Sequence, residues 1–107
     1  MASGKLGIAQ LSAGTDTIVY TVPSSTLAVV NFNMVNLSAS ADANITVSIS
    51  EDSSPSAGEY IEYGARLNPS GVLERTGIAM SAGEKLIFNS DLNSVNIRIH
   101  GIEETIE

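Results

Sequence analysis

Apolar and polar side chains alternate along most of this chain with a period of two, and turn-forming residues break the rhythm about every eight to twelve positions. Such alternation marks strands that bury one face. In residues 16–22 it puts Ile18, Tyr20 and Val22 on one side, and Pro23-Ser24-Ser25 then stops the strand, because proline lacks the N–H that a central ladder needs. The longest run is 26–36, with Val30, Phe32 and Met34 facing one way and Asn31 and Asn33 the other. Residues 44–50 alternate most cleanly. Ile45, Val47 and Ile49 point in, and Asn44, Thr46, Ser48 and Ser50 form a face expected to be wet.

The stretch 51–58 is polar, acidic and holds both Pro and Gly, which predicts an exposed loop. A short strand follows at 60–63, and Asn68-Pro69-Ser70-Gly71 reads as a turn with proline at a favoured second position. Residues 72–80 and 84–89 read as a hairpin around Ser81-Ala82-Gly83. The last strand is 95–102, with Val95, Ile97 and Ile99 opposite Asn96, Arg98 and His100. An early strand at 5–11 brings the count to about eight. Ser-Ala-Gly occurs at 12–14, 56–58 and 81–83, each time just before a strand, as turns of similar chemistry without a wider repeat.

No segment carries a sustained 3.6-residue apolar stripe with caps. The pattern therefore predicts an all-β fold, an antiparallel β-sandwich of jelly-roll or Ig-like type with about eight strands, ahead of a closed barrel. The 107 residues show no compositional break and fit a single domain over 1–107, with a short flexible N-terminus and a mobile acidic tail at 103–107. A core of this size has little margin, and burial against sister copies or a larger scaffold would ease it.

There is no cysteine, which excludes disulfides, thiolate nucleophiles and cysteine-based metal sites. Residues 1–10 lack an apolar run of signal-peptide length, and no stretch approaches the roughly 20 apolar residues of a spanning helix. The sequons at Asn36 and Asn44 read as chance in an Asn- and Ser-rich chain. A net charge of −7, with Lys5, Arg66, Arg75, Lys85 and Arg98 scattered, argues against nucleic acid and against an anionic membrane as partners. No phosphate-cradling glycine motif is present.

The only histidine, His100, sits mid-strand on the polar face, which predicts an exposed or interface residue. Glu51-Asp52 lies in a loop too flexible for general acid–base work. Asp91 and Asn93 resemble the start of a calcium loop, but Val95 occupies the next ligand position and the expected Gly and terminal Glu are missing. No catalytic residue, cofactor or metal is therefore expected. The candidate interface residues are Tyr60, Glu62, Tyr63, Glu74 and Arg75. Two of the three tyrosines fall in Tyr60-Ile61-Glu62-Tyr63, where alternation sets Tyr60 and Glu62 on one face and Ile61 and Tyr63 on the other. Tyrosine suits an interface because it buries area yet keeps a hydroxyl to satisfy; a core strand with one wet tyrosine is the competing reading. Glu74 and Arg75 point to opposite faces, so one of them meets the interior or a neighbour and needs a charge partner.

The series Val19-Tyr20-Thr21-Val22-Pro23, Val35-Asn36, Tyr60-Ile61-Glu62-Tyr63, Gly71-Val72-Leu73-Glu74-Arg75-Thr76-Gly77-Ile78, Ser81-Ala82-Gly83-Glu84 and the closing 95–104 resembles small structural proteins of tailed bacteriophages, of the marine and cyanobacterial phage type. That resemblance covers nearly the whole chain. It implies a β-sandwich in the virion, folded in the host cytoplasm before assembly, and no catalytic residues. The leading expectation is a capsid decoration (cement) protein on the outer head, partnered by copies of itself, a trimer being one arrangement, and by the major capsid protein. A tail, neck or fibre subunit is the alternative. A carbohydrate- or receptor-binding module is the alternative of another class, disfavoured because the predicted loops carry no Trp or Tyr.

Overall fold

The computed structural model describes residues 3–106. Eight strands run in chain order: β1 (Ser3–Gln10), β2 (Thr17–Thr21), β3 (Thr26–Asn36), β4 (Ala43–Ser50), β5 (Tyr60–Leu67), β6 (Val72–Met80), β7 (Lys85–Ser90) and β8 (Val95–Thr105). They form two antiparallel sheets, sheet A in the order β1-β8-β3-β6 and sheet B in the order β2-β7-β4-β5. Strands pair as β1 with β8, β2 with β7, β3 with β6 and β4 with β5. These pairs nest like one long hairpin wound into a roll, and β3–β8 and β4–β7 contacts complete the sheets. The protein is therefore an eight-stranded β-sandwich with jelly-roll topology. An Ig-like order is ruled out, because only β4 and β5 are consecutive neighbours within a sheet.

The expected hairpin of residues 72–80 and 84–89 is not formed: β6 belongs to sheet A and β7 to sheet B. Between them Ser81–Glu84 makes a tight turn that docks on Val22 through two main-chain bonds, Val22 N to Glu84 O and Glu84's neighbour Gly83 N to Val22 O. Local turn chemistry is the same whether a chain folds back or crosses to the facing sheet. Long-range pairing decides for crossing: β6 takes its partner β3 in sheet A and β7 its partners β2 and β4 in sheet B, with Met80 and Leu86 both filling the core between them. All three Ser-Ala-Gly segments close the same turn, with the N–H of residue 15, 59 or 84 bonded to the serine carbonyl three residues earlier. Their glycines Gly14, Gly58 and Gly83 have positive φ, as a type II turn requires at its third position.

The core lies between the sheets. Phe32 of β3 and Phe88 of β7 meet edge to face with ring centroids 5.2 Å apart, and Val30, Met34, Ile45, Val47, Leu86 and Ile99 pack around them. The inward residues of β3, β4 and β8 follow the alternation. Two faces differ from expectation. In β2 a bulge between Ile18 and Tyr20 turns Ile18 out to solvent while Val19 packs on the core. In β4 the outward face is wet only at its start, because Ser48 and Ser50 are buried: Ser48 is flanked by Ile87 and Tyr60 in register, and Ser50 Oγ accepts the Asp52 N–H.

The expected mobile tail is largely the end of β8. Glu103, Glu104 and Thr105 pair with Ala28, Leu27 and Thr26, and Ile106 N bonds to Ser25 O; Met1, Ala2 and Glu107, and with them most of the N-terminus expected to be flexible, lie outside the described residues. Strand parity carries Glu103 inward beside Ala28, where its Oε2 accepts the Tyr20 hydroxyl at 2.5 Å. Burial, then the hydrogen bond to Glu103 and the charge of that carboxylate, raise the Tyr20 phenol well above its ordinary pKa of about 10. Because the folded pKa is the higher one, folded protein holds this proton where the unfolded chain has released it. Stability is thus intact below about pH 10 and declines above it. Tyr20→Phe should flatten that alkaline decline and cost about 1–2 kcal/mol at neutral pH by leaving Glu103 without its donor, both readable by urea unfolding at a series of pH values.

Candidate functional site

The five candidate interface residues separate into three places, and strand geometry explains each. Strand β5 is the outer edge of sheet B and holds two register shifts against β4, between Ile45 and Val47 and between Val47 and Ser48. Each adds a residue to β5, and Gly64, with φ of 64°, sits in the first. These bulges overturn the simple alternation that set Tyr60 and Tyr63 on opposite faces. Both rings come together on the outer face of sheet B, edge to face at 4.9 Å, with Tyr63 77% and Tyr60 37% exposed. The core-strand reading of this segment is overturned too, since neither ring enters the core.

Glu62 goes the other way. It pairs with core-facing Val47, and across the gap Arg75 of β6 pairs with core-facing Phe32. The two side chains meet where the free edges of the sheets stand opposite each other, with Arg75 Nε 2.6 Å and Nη2 2.5 Å from Glu62 Oε2. Of the adjacent pair Glu74 and Arg75, it is Arg75 that turns toward the facing sheet at the open flank and finds a charge partner, while Glu74 lies opposite Asn33 on the outer face of sheet A; both stay exposed. A bulge at Thr76 and Gly77, held by Gly77 N donating to Asn31 Oδ1 at 2.9 Å, then lets Ile78 return to the core side. Removing the bridge should matter little, because the guanidinium is about half exposed. We expect Arg75→Ala to lower stability by about 1 kcal/mol or less, with the difference shrinking in high salt, as chemical unfolding at two ionic strengths would show.

A shallow depression of about 360 Å³ adjoins the tyrosine pair, lined by Asp16, Thr46, Tyr60, Tyr63, Gly64 and Asn89. Three strands of sheet B and the residue just before the fourth contribute to it. Asp16 precedes β2, Asn89 lies in β7 opposite Thr46 of β4, and Gly64 N of β5 points at Thr46 Oγ1. Asn89 Nδ2 donates to Asp16 Oδ1 at 2.8 Å and fixes both groups. Nothing local in the sequence marks Asp16, Thr46 or Asn89 as a group. They are far apart along the chain, and only the β4–β7 register makes them neighbours.

The opposite outer face has another character. On sheet A the cross-strand neighbours Val29 and Ile102 are both exposed, as are Ile8, Leu27 and Val72. Lys5 pairs with His100, and Ile8 with Arg98, while Glu74 opposite Asn33 and Glu104 opposite Leu27 bring as many acidic groups to the same face. A groove of about 510 Å³ passes over Ile8, Gln10, Asn33, Val35, Asn96 and Arg98. His100 is half-buried here, and its Nδ1 and Asn96 Oδ1 find no hydrogen-bond partner among the described residues.

Among the described residues no three His, Asp or Glu side chains stand close enough to hold a metal ion. No helix there is long and apolar enough to cross a membrane. Compared with family models, with curated proteins and with solved structures, the chain finds no match. The class is therefore defined by the fold and its surfaces: a jelly-roll sandwich whose two outer faces differ in chemistry.

Proposed function

We propose that this protein is a structural subunit of a tailed-phage virion, a decoration protein that binds the outer surface of the head. The resemblance of its sequence motifs supplies the virion context. One observation supports the head-bound role most: the roll is a slab with unlike outer faces on opposite sides, an exposed apolar patch on sheet A and a tyrosine pair beside a polar row on sheet B. A subunit seated on a lattice needs such a difference, one side for the particle and one for solvent.

Sheet A suits the particle side. Val29 and Ile102 stand exposed side by side with Leu27, Ile8 and Val72 on the same face, where Lys5 and Arg98 are balanced by Glu74 and Glu104, so contact with a partner would bury apolar area there without a net charge to oppose it. The major capsid protein is the partner this reading assigns. Copies of the chain itself would meet along the free edges of β5 and β6, or of β1 and β2, where unpaired main-chain groups invite strand addition. Scaffolding and not catalysis is the work proposed. Immunogold labelling of intact particles tests the reading: label over the head supports it, label confined to the tail favours a tail or fibre subunit, and absence from purified particles overturns both.

A further inference from the structure

We infer that the outer face of sheet B holds a binding site for a neutral saccharide, in the depression between Asp16 and the Tyr60–Tyr63 pair. The inference goes beyond the virion reading and does not depend on it.

The arrangement begins with the two bulges of β5. They bring two aromatic rings to the same side of an edge strand, and Tyr63 keeps most of its surface in water. An exposed ring beside a polar row is poorly used by folding, since its burial adds nothing to the core. A pyranose fits such a place because one of its faces is a patch of polarised C–H bonds. Those bonds pack on the electron-rich face of an aromatic ring, while hydroxyls around the sugar's rim need hydrogen-bond partners.

The partners stand beside the rings. From the aromatic pair the row runs through Gly64 and Thr46 to Asn89 and Asp16. Thr46 offers a hydroxyl. The 2.8 Å bond from Asn89 Nδ2 to Asp16 Oδ1 orients both side chains and leaves Asp16 Oδ2 and Asn89 Oδ1 without protein partners among the described residues. Two acceptors held at fixed separation can take two adjacent sugar hydroxyls at once. Because Asn89 and Thr46 lie on interior strands of the sheet, their positions are rigid, as a weakly held ligand requires.

Charge selects within the class. Asp16 is the only charged group lining the depression, and the chain carries −7 overall. Phosphorylated, sulfated or uronic ligands would be repelled, and nucleotides, whose bases also stack on tyrosine, fail on their phosphates. Neutral hexoses and their N-acetyl derivatives remain. The ring positions also answer the objection that the loops carry no aromatic residue: the aromatics stand on the sheet itself.

The test is a titration of the isotope-labelled full chain, followed by NMR, with neutral gluco-, galacto-, manno- and N-acetylhexosamine oligosaccharides. We expect at least one to shift resonances of Thr46, Tyr60, Tyr63, Gly64 and Asn89 while leaving Val72 and Arg98 on the other sheet unmoved. Tyr63→Ala and Asp16→Ala should each weaken that sugar by about tenfold or more, and Tyr63→Phe should keep it. Thermal unfolding of Tyr63→Ala should match the parent, because its ring is outside the core. The inference is overturned if none of these sugars binds, if shifts gather on sheet A, or if Tyr63→Ala and Asp16→Ala bind as the parent does. It is equally overturned if Tyr63→Ala changes only self-association or particle binding. Sugar binding or its absence says nothing of head or tail, and label over the head says nothing of sugar, so the two readings fail separately.

Discussion

Replacing Gly101 by alanine is expected to cost about 3 kcal/mol, a large part of the stability of a small domain. Gly101 lies in β8, which is sandwiched in sheet A between β1 and β3, and it pairs with Gly4 on one side and Val30 on the other. A Cβ built there would overlap the main-chain oxygen of Val29 and press on Val30 Cα at 2.8 Å. Both obstacles are backbone atoms of β3. They have no rotamer to change, so relief would require β3 and β8 to move apart and lose ladder hydrogen bonds. Neighbouring Ile102, 58% exposed on the outer face, is the natural comparison, and Ile102→Ala should cost well under about 1 kcal/mol. Urea unfolding of the two variants decides the matter. A Gly101→Ala loss no larger than that of Ile102→Ala would mean that the sheet relaxes around the methyl and that this close approach is not a constraint.

The second large effect is expected at Asn36. Its side chain is wholly buried at the end of β3 and holds four chain segments together. Nδ2 donates to Ala41 O at 2.8 Å, with longer contacts to Leu67 O and Asn68 O, and Oδ1 accepts from Ser38 N and Ser94 Oγ, both at 3.0 Å. One amide thus ties the β3–β4 loop, the end of β5 and the β7–β8 turn to one point. Asn36→Leu keeps the approximate volume but leaves buried donors and acceptors without partners, at about 3 kcal/mol. Asn36→Asp keeps the accepting contacts but sets a buried negative charge against carbonyl oxygens, and should lose at least as much at neutral pH. Thermal unfolding of both variants measures this, and a variant melting within a degree or two of the parent would show that water replaces the lost contacts.

Asn36 also shows what a local reading misses. It belongs to a glycosylation-like triplet that composition alone dismisses as chance, and the structure buries its amide nitrogen. The signal that could have found it was parity. Asn36 lies on the same side of β3 as Val30, Phe32 and Met34, so an inward polar group with several partners follows from the alternation itself. Glu103 is the same case, sharing its side of β8 with Val95, Ile97 and Ile99, whereas its acidity suggested a solvated tail. In both positions hydrophobicity argued for the surface and strand geometry argued for the core. The hydrogen-bond partners that make burial tolerable come from distant strands.

Surface residues were legible in the opposite proportion. The segment around Tyr60 stood out as an interface candidate because most of the chain's aromatics lie elsewhere only singly. Yet the faces assigned to Tyr60, Glu62 and Tyr63 failed, because two bulges in β5 shift the rhythm twice within five residues. A bulge depends on how an edge strand is seated against its neighbour, and the period of one strand cannot report it. Asp16, Thr46 and Asn89 had no distinguishing mark at all before the β4–β7 register set them beside the tyrosines.

Residue order was enough for the all-β class, the number of strands, the positions of most turns and the inward residues of β3 and the first part of β8. Each of these follows from near neighbours, through two-residue alternation and the backbone preferences of Gly, Pro and Ser. Long-range pairing was needed to show that the strands nest as a jelly roll, that β6 and β7 lie in different sheets, that Glu62 meets Arg75 across the open flank and that the two tyrosines share a face. Those outcomes depend on which distant strands pair and in what register. Pairing is set by the joint packing of both sheets around one core, an energy that belongs to the whole chain and to no segment of it.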